Sequence, residues 1–143
     1  MIALAETVRH ARLQAIATAL DSGTGAGTTN PGARVRIYSG ARPALTEAPA
    51  NTTLLVELRL PKPCTQSLMA GTLKLIPPAE TLCQRSGVAI WARLLNSDSE
   101  IVLDLDVGSA SAAPEFPYEL ELASTQLLAG SAVRLTSMEF HEP

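Results

Sequence analysis

From about Ala5 to Leu20, apolar side chains recur at Val8, Leu13, Ile16, Ala17 and Leu20, while Arg9, Arg12 and Gln14 take other directions. That rhythm predicts one amphipathic helix. Asp21, Ser22 and Gly23 close it, because glycine adopts the left-handed backbone that ends a helix. The next stretch, GTGAGTTNPG, has no side chain large enough to anchor a core. It predicts a flexible linker over residues 23–32 and a helical arm over 1–22 that can sit away from the body.

After Pro31 the period changes to two, which predicts a β domain over residues 33–143. In RVRIYS, Val35 and Ile37 oppose Arg34, Arg36 and Tyr38, and GARPA then turns the chain. TLLVELRL sets Leu54, Val56, Leu58 and Leu60 against Leu55, Glu57 and Arg59 before PKP ends the strand. TLKLI is stopped by Pro77 and Pro78, and another strand fits between Thr65 and Ala70. VAIWARLL, NSDS and EIVLDLDV read as a hairpin in which Val88, Ile90, Ala92 and Leu94 share a buried face with Ile101, Leu103, Leu105 and Val107. YELEL and AVRLTSMEF complete the set, the latter entered through Gly130, with an alternation slip near Ser137 that implies a bulge or a strand covered on both faces. Short strands with Gly and Pro turns and no helices between them predict an all-β, two-sheet sandwich, jelly-roll-like, with one N-terminal amphipathic helix; a small closed barrel is the alternative.

Composition narrows the function. The chain is 46% hydrophobic and 17% charged, so part of its surface is expected to be apolar and covered by a partner. A net charge of −3 and scattered Lys and Arg exclude nucleic acid as an expected partner, and five aromatic residues are few for a stacking groove. No apolar run suits a bilayer, and charges interrupt the N-terminus where a signal peptide needs its apolar stretch, so a soluble, unexported protein is expected. Cys64 and Cys83 have no metal-ligand spacing and read as reduced, buried thiols.

Candidate chemistry is thin. Asp104 and Asp106 share one face of a strand and could bind a divalent ion, but outward acids also keep a sheet soluble, and the solvated face is the expectation. Glu119 and Glu121 read the same way. His10 and His141 read as surface residues, one among arginines on the helix and the other beside the C-terminus. Gly23, Gly25 and Gly27 follow a helix rather than preceding one, the reverse of a phosphate loop. Trp91, opposite Val88 and Ile90, is either an exposed anchor or the filling of a second core layer. No catalytic residue, metal ligand or cofactor site is assigned, and no enzymatic activity is expected.

The succession RVRIYSGARPA, TLLVELRL, GVAIWARLLNSDSEIVLDLDVG and LELASTQLLAGSAVRLTSMEF resembles a group of small tailed-bacteriophage virion proteins, from Ala33 to Phe140. The resemblance implies a jelly-roll-like cement or decoration protein, a homodimer bound to the major capsid protein on the outer capsid surface and assembled in the host cytoplasm. It carries no catalytic residues. The expected partner surface is the helix face Val8, Leu13, Ile16 and Leu20, together with Trp91, and exposed strand edges are the expected self-association surface. A tail or baseplate component, or a small ligand-binding or hydrolytic β domain, are the alternatives.

Overall fold

The computed structural model describes residues 3–25, 32–45, 47–109 and 118–141. Helix α1 (Glu6–Asp21) starts without a side-chain cap; the amides of Val8 and Arg9 instead reach the Ala5 carbonyl at 3.0 and 3.1 Å. Glu6 in the first turn complements the helix dipole. Leu13, Ala17 and Leu20, spaced to form one stripe, are buried in the same core as the strands.

This corrects the expectation of a separate arm. The helix end is also pinned by polar contacts. The Cys64 amide donates to Asp21 Oδ1 at 3.0 Å, Asn96 Nδ2 donates to Ser22 Oγ at 3.1 Å, and Lys62 Nζ donates to the Gly23 carbonyl at 3.1 Å. The amides of Thr24 and Gly25 meet the Asp98 carboxylate at 3.2 and 3.3 Å. Gly23 itself has φ +97°, and a Cβ there would lie 2.5 Å from Ser97 Oγ, so only glycine lets the chain leave the helix this close to the hairpin turn. Of the linker expected over 23–32, residues 26–31 lie outside the described residues, Gly27 among them.

Eight strands form one sheet: β1 (Arg34–Ser39), β2 (Thr53–Arg59), β3 (Thr65–Met69), β4 (Thr72–Leu75), β7 (Trp91–Leu95), β8 (Ile101–Ser109), β9 (Leu120–Leu122) and β12 (Leu135–His141). Their order is β2-β1-β7-β8-β9-β12-β4-β3, antiparallel except for the parallel β8–β9 pair. Val35 and Leu58 from one end of that order share a single core with Leu73, Leu75 and Phe140 from the other. The sheet therefore curls around its own apolar side, and α1 fills the interior against β3, β4 and β8.

The remaining short strands, β5 (Thr81–Leu82), β6 (Gly87–Val88), β10 (Gln126–Leu127) and β11 (Ala132–Val133), make two small sheets. Their pairs Thr81↔Val133, Leu82↔Ala132, Gly87↔Leu127 and Val88↔Gln126 keep one register, so they are two ends of a single interrupted ribbon. The Gln84 amide donates to the Leu55 carbonyl at 2.8 Å and fastens this ribbon to β2. The fold is all-β and sandwich-like, with one N-terminal helix.

Two details of the alternation differ from expectation. Leu55, which alternation groups with Glu57 and Arg59, is buried while Leu54 is half-buried, because the register shifts opposite Ile37 and Tyr38 and the ribbon covers Leu55. Val88 and Ile90 are exposed because the expected long strand breaks before Trp91, its first part pairing with β10 and its second with β1 and β8. Ile101 is exposed and Leu103 only half-buried on the partner strand. The slip near Ser137 is a register shift between Leu135 and Ser137.

Candidate functional site

The outer face of β2-β1-β7-β8 carries a second, smaller layer. Register sets Tyr38 beside Trp91, Arg36 beside both Glu57 and Arg93, and Arg93 beside Asp104. The Tyr38 and Trp91 rings stack with centroids 4.5 Å apart and planes 12° from parallel, and the Arg93 guanidinium lies 5.3 Å from the Trp91 centroid. Arg93 Nε and Nη2 donate to the two Asp104 oxygens at 2.7 and 2.9 Å. Arg36 Nε donates to Glu57 Oε1 at 2.8 Å.

The β1–β2 loop closes over this layer. Arg93 Nη1 donates to the Glu47 carbonyl at 2.8 Å, and Arg42 pairs with Asp106 at 3.2 Å. A recess of about 340 Å3 remains between Arg42, Pro43, Ala44, Leu45 and Asp104. The hydrogen bond and charge of Asp104 outweigh burial and hold the Arg93 pKa above its ordinary value. For Arg36 burial pulls the other way, but Glu57 and Tyr38 together raise it.

Two adjacent acids thus have different fates. The Asp104 side chain is 3% exposed and locked to Arg93, whereas the Asp106 side chain is 59% exposed. The solvated-face reading holds for Asp106 and fails for Asp104, because a strand face that looks outward by alternation is here roofed by a loop. The same roof decides Trp91, which is 0% exposed and fills a second core layer; it is not an exposed anchor. Among the described residues its Nε1 has no hydrogen-bond partner.

The helix residues expected at a partner surface separate likewise. Leu13 and Leu20 are buried and Ile16 packs against the core, so none of them is free to dock. Val8 alone of the four is exposed. His10 is exposed on the helix. His141 Nδ1 lies 3.1 Å from Thr72 Oγ1 and Nε2 lies 3.5 Å from Glu139. Glu119 is exposed and Glu121 half-buried.

Both cysteines are buried and unbridged. Burial, with the Asp21 carboxylate nearby, pushes the Cys64 thiol up to about 12, which keeps it protonated and non-nucleophilic at neutral pH. Cys83 Sγ donates to the Arg85 carbonyl at 2.9 Å. Among the described residues, no group of three or more His, Cys, Asp or Glu side chains is placed to hold a metal ion.

The feature that sequence reasoning missed is the outward face of the interrupted ribbon. Leu82, Gln84, Ser86 and Val88 on one side of the ribbon, and Gln126, Leu128, Gly130 and Ala132 on the other, are all exposed and none is charged. Leu82 and Leu128 stand 62% and 61% exposed, with Val88 at 41% and Ile90 beyond it at 43%. The signal was present as a run without Asp, Glu or Lys from Thr81 to Ala92, and as another from Leu122 to Val133. Only the shared register shows that the two runs form one surface. Compared with known protein families, with curated proteins and with solved structures, the chain matches none.

Proposed function

We propose that this chain is a non-enzymatic structural protein of a tailed-phage virion, a cement or decoration protein that binds and reinforces the outer surface of the capsid. The observation that carries the reading is the uncharged, partly apolar ribbon face, which costs little to desolvate against another protein. It replaces the helix and Trp91 as the docking surface. Resemblance over Ala33 to Phe140 supports the choice of the capsid as partner.

Mechanically, the protein bridges neighbouring shell subunits, so that separating them also breaks its own contacts. Many modest contacts on one particle then add through effective concentration. A rigid ribbon fastened to β2 loses little conformational freedom on docking.

The test is co-sedimentation with empty shells of the encoding phage. Wild type is expected to pellet with the shells to saturation. Leu128→Glu and Val88→Glu place a charge on the face without touching the core, and each is expected to weaken binding by roughly tenfold or more. Failure of the wild type to pellet, or undiminished binding by both variants, rejects the proposal.

A further inference from the structure

Three arginines on the outer side of β2-β1-β7-β8 each hold a carboxylate: Arg36 has Glu57, Arg93 has Asp104 and Arg42 has Asp106. Arg34, half-buried on the same face of β1, has none among the described residues; its Nη1 donates to Ser99 Oγ at 3.0 Å. What stands opposite it is a like charge. The Leu60 amide donates to the Ala33 carbonyl at 2.9 Å, which makes the next pair, Arg34 and Arg59, the non-hydrogen-bonded kind. Such a pair brings Cα atoms to about 4.5 Å and side chains closest together, and like charges so placed repel.

Nothing adjoining Arg34 relieves this. Leu95, its neighbour on β7, carries no charge. Asp98 and Glu100, on either side of Ser99, are turned to other groups: Asp98 accepts from the amides of Thr24 and Gly25, and Glu100 Oε1 accepts from Asn96 Nδ2 at 3.1 Å. Arg59 has a contact of its own, so the unmatched charge is that of Arg34. Arg93 grips Asp104 with Nε and Nη2, the two-pronged side of its guanidinium. With Nη1 given to Ser99, Arg34 keeps that same side for another group, and its Nε is buried without a partner among the described residues. A buried donor left unmet is costly, the more so on a charged group.

We infer that Arg34, steadied by Ser99 and flanked by Arg59, binds a small tetrahedral oxyanion of the phosphate or sulfate class at the start of β1. Two of the oxygens take Nε and Nη2 of Arg34, and the remaining charge offsets the repulsion from Arg59. One fork with one neighbour makes a site for a single ion, not a track along a nucleic-acid backbone. The site shares no residue with the ribbon, and the free protein tests it without any shell.

Titration calorimetry of the full chain with inorganic phosphate, at pH 7 and fixed ionic strength, is expected to show saturable binding of one ion per chain. Arg34→Lys keeps the charge but lacks the fork, and is expected to weaken binding about tenfold or more. Arg34→Gln is expected to abolish it. Lys74→Gln removes a charge from β4 instead and is expected to leave binding unchanged. Melting curves without phosphate show that each variant is folded; added phosphate should raise the melting temperature of wild type and of Lys74→Gln, and that of Arg34→Gln not at all. Absence of saturable binding by wild type overturns the inference, as does wild-type affinity in either folded Arg34 variant. Acetate bound as tightly as phosphate overturns the choice of a tetrahedral ion.

Discussion

Asp104 and Asp106 lie two residues apart on one strand face, yet their removal should differ in cost several-fold. Asp104→Ala deletes one half of a two-pronged ion pair whose side chains are 5% and 3% exposed, and leaves Arg93 charged with its remaining bond to the Glu47 carbonyl. Breaking one partner of a buried pair costs about 3–5 kcal/mol, because the survivor has lost both its water and its counter-charge. Asp106→Ala removes an exposed pairing with Arg42, worth about 0.5 kcal/mol or less. Urea titration followed through the single tryptophan reads both, since Trp91 stacks on Tyr38 and lies under Arg93. At roughly 3–4 °C per kcal/mol for a chain of this size, Asp104→Ala should melt about 9–20 °C early and Asp106→Ala within about 2 °C of wild type. The double variant Arg93→Met with Asp104→Leu should recover most of the loss, because the charge is gone with its partner. Equal effects of the two alanine variants would refute the covered layer.

Leu13→Ala should cost about 2–5 kcal/mol in the same titration, and removal of residues 1–22 should abolish cooperative unfolding, because α1 completes the core. Gly23→Ala should lower the melting temperature, checked by calorimetry, through the strained φ and the clash with Ser97. Cys64 should resist iodoacetamide at pH 8 in native protein and react once unfolded, as read by mass spectrometry. The folded thiol ionises only at about 12 against an ordinary 9.0, so its contribution to stability is complete below pH 9 and drains as pH rises from there toward about 12. Cys64→Ala should therefore show a shallower alkaline loss of stability than wild type.

The elements themselves were legible because side-chain period reports local geometry: three-to-five spacing gave α1, and period two gave the main strands. What period two cannot report is which face is covered. Arg36, Tyr38, Trp91, Arg93 and Asp104 alternate as an outward row should, but a loop of small residues and prolines roofs them, and nothing in RPALTEAPA announces that role. The place of the helix is hidden for a related reason. Its stripe marks an apolar face but names no partner, and the small residues after it looked like a free linker when Gly23 in fact serves close packing against Ser97. The ribbon face was hidden by distance, because its halves lie about forty residues apart and match only through register.

Hydrogen exchange on the shell-bound protein tests the central claim most directly. Amides within residues 81–90 and 124–133 are expected to gain protection on binding while α1 and the Trp91 layer stay as slow as in the free protein. Binding that protects α1 and leaves both ribbon segments unchanged would contradict it.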